Sequence, residues 1–339
     1  MKKAITYLLA IVVSTSLTAQ NADSSLFYFQ KGLEEKKTKR YLVASNHFIK
    51  AIQLNPGYID AYIESGLANN EMRKTDAAKA DFTKALELDT QNETAIKELT
   101  NIYFNYRQYQ NALDLAQKCK TCTNKDRIIA MCYYNMEDYG KAERLLIALV
   151  NKNPKDAEIT YILASNYLAM GDETRAITLY ENALLLDNKK SNWFFELGLL
   201  YSNTNNYKKA VVAYTKAAEL GYIRGNDFNE NLGFAYMYSG DFDNGEKLLS
   251  DLVGRRPGDK ELIRNVATAF FDNKNYDKAL DYCQKLLEMN MKDGKALYQA
   301  GLCFQKKGMV ERGMQMCDKA IELDPTLAGL KSKKLSPGM

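Results

Sequence analysis

The chain has 339 residues, with 46 Lys and Arg against 42 Asp and Glu, a single His and five Pro. The charges are interspersed and form no basic stripe of the kind a phosphate backbone selects, so nucleic acid is not an expected partner. Few prolines among abundant Ala, Leu, Lys and Glu favour helix.

The amino terminus reads as a processing segment. Lys2-Lys3 gives a positive start, Ala4 to Val13 an apolar core, and Ser14 to Ala19 a small-residue exit, the order of a secretory signal. The apolar run falls short of the roughly 20 residues that a membrane span needs. The expectation is export with cleavage after Ala19, so that 1–19 is a signal peptide and 20–24 the start of the mature chain. The Lys-Lys start and the Thr18-Ala19-Gln20 exit resemble export signals of the Bacteroidota. No Cys follows the apolar core, as a lipoprotein would need. No later stretch is long and apolar enough to span a bilayer, so no integral membrane span is expected after signal removal.

From about Ser25 two columns of small residues recur. One runs Gly32, Gly66, Thr100, Ala130, Ala164, Gly198, Gly233, Ala267 and Gly301; the other runs Ala44, Ala78, Ala112, Ala142, Ala176, Ala210, Gly245, Ala279 and Gly313. Both step by 34, 34, 30, 34, 34, 35, 34 and 34 residues. Small residues on one period let two helices of each unit cross closely, where a larger side chain would overpack. Thr100 is the poor fit. An aromatic column follows the first (Tyr103, Tyr133, Tyr167, Tyr201, Tyr236, Phe270 and Phe304), and a second large column sits at Phe48, Phe82, Leu146, Tyr180, Tyr214 and Leu249. Both read as core packing rather than as a ligand strip.

The punctuation agrees. Pro56, Pro154, Pro257 and Pro325 each follow a second helix, where proline ends one helix and can open the next. Gly171-Asp172, Asn205-Asn206, Gly240-Asp241 and Asn273-Lys274-Asn275 are turn formers within hairpins. A longer loop is expected over Gly221–Gly225, which holds one extra residue. The third unit is four residues short, so its second helix should end near Cys119 to Cys122 with a tight loop before Asp126. The units parse as 25–58, 59–92, 93–122, 123–156, 157–190, 191–225, 226–259, 260–293 and 294–327, with 328–339 as a short cap or tail.

The pattern Leu197-Gly198-x-x-Tyr201, followed by Ala210-x-x-x-Tyr214-x-x-Ala217, resembles the tetratricopeptide repeat, a helix-turn-helix unit. The resemblance implies an all-α, right-handed superhelical solenoid of about nine units. It also implies that the first helices line a concave face on which partner peptides bind. The lining positions lie one turn from the packing columns. They include Phe104, Arg127, Met131 and Tyr134 in the third and fourth units, then Tyr161, Phe195 and Leu199. Phe234, Met237, Phe271 and Tyr298 follow in the last three units. Such a face is apolar for one that meets water, and contiguous apolar patches with aromatic anchors mark binding sites. Tight winding could instead bury these residues against the next first helix. Family members that clamp an acidic carboxyl terminus use a Lys/Asn set on three successive first helices. Lys97 and Asn101 match part of it and Arg127 adds a base. Glu158 and Ile162 break the set, so that activity is not carried over.

No constellation for chemistry emerges. His47, on a second helix, has no partners at ligand or catalytic spacing. No phosphate loop, Gly-x-Ser-x-Gly elbow or His-Glu-x-x-His is present, so no cofactor, metal or catalytic residue is assigned. Of six cysteines, Cys119 and Cys122 form a C-x-x-C and are a candidate disulfide, bridged locally in the short third unit. A redox pair wants its first Cys at a helix amino terminus, whereas Cys119 falls at the end of a second helix. It occupies the column that holds Ala51, Ala85 and Ala183, and buried free thiols remain an alternative for most of the six. The leading expectation is a non-enzymatic envelope adaptor, periplasmic rather than released, that binds a protein or peptide in its groove. The alternatives are an envelope redox module using Cys119 and Cys122, and a self-assembling structural spacer.

Overall fold

A computed structural model describes residues 23–332; the expected signal peptide, cleavage site and last tail residues lie outside them. The described residues are helical with short connections and hold no strand. The chain divides into two compact units, one ending at Gly171 and one beginning at Asp172. The first holds α1 (23–37), α2 (Tyr41–Leu54), α3 (Ile59–Glu71), α4 (Thr75–Leu88), α5 (Glu93–Asn105), α6 (Tyr109–Lys118), α7 (Lys125–Asn135), α8 (Tyr139–Lys152) and α9 (Ala157–Ala169). The second holds α10 (Glu173–Leu186), α11 (Ser191–Asn203), α12 (Tyr207–Glu219), α13 (Asn226–Ser239), α14 (Phe242–Arg255), α15 (Lys260–Asp272), α16 (Tyr276–Met289), α17 (Gly294–Lys306) and α18 (Val310–Leu323). A 3-10 turn over Pro325–Leu327 and α19 (Ala328–Ser332) follow.

Within each unit, odd-numbered first helices pack on the second helices that follow them, and each second helix packs on the next first helix. The small column has a specific partner. A Cβ built on Gly66 would lie 2.7 Å from Phe82 Cε1, one on Gly198 would lie 2.6 Å from Tyr214 Cδ1, and one on Gly233 would lie 2.8 Å from Leu249 Cδ2. Each partner stands sixteen residues further on and is fully buried. Small therefore meets large across the hairpin. At α17 and α18 small also meets small: a Cβ on Gly301 would lie 2.7 Å from the Gly313 carbonyl oxygen. The rule also accounts for Thr100: sixteen residues on stands Ala116, and the two line one small cavity. Cys317 fills the large position opposite Gly301, and Cys283 occupies the same column, fully buried.

Nine residues in the turns between first and second helices have positive φ: Lys39, Arg73, Arg107, Glu137, Gly171, Asn205, Gly240, Lys274 and Gly308. Four sequence dipeptides and tripeptides pointed to some of these turns. Lys39, Arg73, Arg107 and Glu137 carried no such signal, because there hairpin packing overrides a local preference against left-handed backbone. Asn92, Asp138, Asp156, Asp172, Asp241, Asp259, Asn275 and Asp293 cap their helices by accepting a backbone N–H, which meets donors that a helix start leaves unpaired.

Two loops depart from the regular connection. The extra residue lies, as expected, in 220–225, where Gly221 has φ +85. The third unit's deficit is taken from the helix rather than from the loop. α6 has 10 residues against 14 in α4, and the connection 119–124 is longer than the regular 89–92, not tight. Beyond α18, Leu327 buries itself with Tyr298, Cys317 and Ala320 and covers part of the last hairpin.

Candidate functional site

Most of the expected lining residues are half-buried: Phe104, Met131, Tyr134, Tyr161, Phe195, Leu199, Phe234 and Phe271. Several are held by a ring across their own hairpin turn. Phe104 packs edge-on with Tyr109, Tyr134 with Tyr139, and Phe271 with Tyr276, at centroid separations of 5.6, 5.9 and 5.5 Å. Each second ring stands five residues after the first, at the start of the second helix, and clasps the turn. That spacing of five is legible in the sequence.

Two of the expected positions, Met237 and Tyr298, are buried, and half-buried Arg127 is paired within the array. Met237 is 0% exposed; a Cβ on Gly245 would lie 2.7 Å from its Cγ, so it fills the gap left by a glycine in the second column. Tyr298 is buried with Leu327, Cys317 and Ala320. Arg127 is committed to its neighbour: it donates to the α9 cap Asp156 at 3.4 Å and pairs with Glu158. Arg264 repeats the device with the α17 cap Asp293 at 2.9 Å. In both cases the acid stands 29 residues after the arginine. These arginines tie consecutive first helices together.

A four-ring assembly lies in the second unit. Phe195 of α11 stacks on Tyr222 of the longer loop at 4.5 Å and on Phe228 of α13 at 5.7 Å. Tyr214 meets both Phe195 and Phe228, at 5.7 and 5.9 Å, and Arg224 lies over the Phe228 ring. Burial pushes the Tyr214 hydroxyl up to about 12, so it stays a neutral partner of Ser202 Oγ at 3.2 Å. The lengthened loop thus brings a tyrosine onto Phe195. Leu199, one turn along α11, and Phe234 on α13 remain half-buried. Separately, α12, α13, α14 and the loop before α13 enclose an open cleft of about 420 Å³ that mixes Arg224 and Lys247 with Asp251.

In the first unit, Cys119 and Cys122 are joined as a disulfide. Cys119 is the buried cap residue ending α6, as its column position predicts. Cys132, Cys283, Cys303 and Cys317 are buried and lie outside the disulfide; burial pushes Cys132 and Cys303 up to about 11 and Cys283 to about 12. His47 is half-buried and stacks on Tyr28 with centroids 6.1 Å apart.

Hairpins of this geometry, repeated on one period with size-matched partners, define an array of helical repeats. Models of the tetratricopeptide repeat match residues 59–92, 129–192, 194–220, 231–294 and 294–327, more than half of the chain. The chain therefore belongs to the tetratricopeptide repeat family. It is 30% identical over 156 residues to human protein O-mannosyl-transferase TMTC1, covering 46% of this chain and 17% of that protein. It is 23% identical over 280 residues to the BBSome complex member BBS4 homolog of Drosophila melanogaster, covering 82% of this chain and 53% of that protein. The chain thus spans about half the length, or less, of these curated relatives. Among solved structures, YrrB, described as a TPR protein with an unusual peptide-binding site, is similar at 24% identity and a TM-score of 0.41, covering 56% of this chain and 98% of that one.

Proposed function

We propose that the chain is a non-enzymatic scaffold of the bacterial cell envelope, periplasmic once its leader is removed, that holds a polypeptide segment against the first helices of its second unit. The observation that carries this reading is the Phe195, Tyr222 and Phe228 stack, flanked by half-buried Leu199 and Phe234. Rigid rings beside accessible aliphatic surface make good anchors, because little side-chain freedom is lost on binding. An extended or helical apolar segment fits such a face better than a charged one. The leader pattern at Lys2 to Ala19 supports export into the envelope. No helix among the described residues is long and apolar enough to cross a membrane.

The test is cross-linking in the native envelope followed by mass spectrometry, repeated with Phe195→Ser, Leu199→Ser and Phe234→Ser combined. Partner capture is expected to be lost with helicity unchanged, while Val212→Ser, at a 69% exposed site on the second helix α12, retains it. Capture by the triple variant equal to that of the unaltered chain refutes the assignment. A self-assembling spacer is the second reading, favoured by exposed Val310 and Met314 on α18; light scattering against concentration separates it from a monomeric adaptor.

A further inference from the structure

We propose that Cys119, Cys122 and Glu93 form a binding site for a soft divalent cation of the zinc class, closed while the two cysteines share a disulfide and opened when that bond is reduced. The three side chains come from two elements. Glu93 is the first residue of α5, and Cys119 and Cys122 bracket the start of the loop that follows α6. The Glu93 carboxylate accepts from the backbone N–H groups of Lys120 and Thr121, each at 3.1 Å, and from Thr121 Oγ1 at 2.9 Å. These donors lie between the two cysteines. One carboxylate oxygen lies 3.0 Å from Cys119 Sγ, and one ligand atom from each of the three residues falls within 4.8 Å of the others.

Cys119 is poorly placed to be an exchange nucleophile. An exchange nucleophile needs a cationic neighbour or a helix amino terminus to favour its thiolate. Cys119 has a carboxylate at its sulfur and sits at a helix carboxyl terminus, whose dipole also opposes negative charge. It is buried as well. The features that disfavour a free thiolate favour a bound cation, because three anionic ligands converging on one point are stabilised by a dication between them. Two thiolates and one carboxylate select zinc among common divalent ions and leave a fourth, tetrahedral position for water. Lys120 and Lys125 flank the loop, and Lys125 Nζ donates to the Cys119 carbonyl at 3.1 Å, so the excess negative charge has counter-ions. A bridge between residues only three apart in sequence constrains little of the unfolded chain, so stability alone does not account for the pairing.

The exchange balances. A dithiol reductant delivers two electrons and two protons to the disulfide and is itself oxidised to a disulfide, leaving Cys119 and Cys122 as thiols. The cation then displaces both thiol protons to solvent as two metal–sulfur bonds form, and Glu93 supplies a third ligand.

The experiment titrates Co²⁺ alone into the full chain after phosphine reduction and desalting, beside the oxidised chain. The reduced chain is expected to bind one ion, with thiolate-to-cobalt charge-transfer and tetrahedral ligand-field bands; the oxidised chain is expected to show neither. Cys119→Ser and Cys122→Ser each abolish the bands, and Glu93→Gln weakens binding at least about tenfold, the scale set even by groups that merely support a metal ligand. Circular dichroism checks folding, and half-buried Cys122 carries the test if the change at buried Cys119 does not fold. The absence of charge-transfer bands in the reduced chain overturns the proposal. So do equal bands in Cys122→Ser, which would place the ion on the other cysteines, and unchanged affinity in Glu93→Gln.

Discussion

Gly198→Ala tests the size-matched hairpin directly. The added Cβ would lie 2.6 Å from both Cδ1 and Cε1 of Tyr214, against a comfortable carbon–carbon contact of about 3.5–4.0 Å, so the ring must retreat by about 1 Å. It has little room: Tyr214 is fully buried, with Phe195 and Phe228 against it. Overpacking of this kind costs roughly 1–3 kcal/mol, while replacing a helical glycine by alanine returns about 1 kcal/mol. With the ring hemmed in, the net loss is expected at about 1–2 kcal/mol, read from urea melts followed by far-ultraviolet circular dichroism. Gly254→Ala is the control, since that helical glycine has nothing within 4 Å of its added Cβ; it should gain roughly 0.5–1 kcal/mol. The decisive variant combines Gly198→Ala with Tyr214→Leu, which copies the Ala130 and Leu146 pair of α7 and α8, both fully buried. The double variant should be more stable than the sum of its parts by about 1 kcal/mol or more. Stabilisation by Gly198→Ala alone, or strict additivity, would refute the reciprocal-volume account.

Two further outcomes follow from the same helices. Glu137 sits at φ +63 in its turn, so Glu137→Gly should raise stability by about 0.5–1 kcal/mol; a loss in thermal melting would show that Glu137 makes a compensating contact. Asp293→Ala removes the α17 cap and the partner of Arg264 and should cost about 1 kcal/mol or more at neutral pH. Burial alone would raise the Asp293 carboxyl, but the Arg264 guanidinium and the Ala296 N–H outweigh burial and hold it below its ordinary range. Its contribution is therefore present above the unfolded-state value and lost as pH falls through the depressed folded value, so parent and variant melts should converge in acid.

The repeat and its hairpins were legible because period and residue size are properties of the chain itself. What lay between columns was harder to see. Thr100 looked misplaced until Ala116, sixteen residues on, supplied the missing half of a pair. Arg127 read as a free base on a binding face because its acids, Asp156 and Glu158, belong to the next first helix. Met237 carried the spacing of a lining residue, yet Gly245 opened a hole that drew it inward. The position of Tyr222 over Phe195 depends on a loop lengthened by one residue, and no periodic template predicts where that insertion sends a ring. Pair spacings of 5, 16 and 29 residues were all present in the sequence; reading them required knowing which helices face each other.

The complementary pairing of a slim residue with a bulky one has a genetic corollary. A crossover that joins the first helix of one hairpin to the second helix of another mixes Gly66 with Ala116, or Thr100 with Phe82, and creates a void or a clash. Breakpoints in the connections after each second helix keep matched halves together. Duplication and loss of whole units are thus the mechanically tolerated route by which such a chain lengthens or shortens, and half-unit chimaeras are the ones selection should remove.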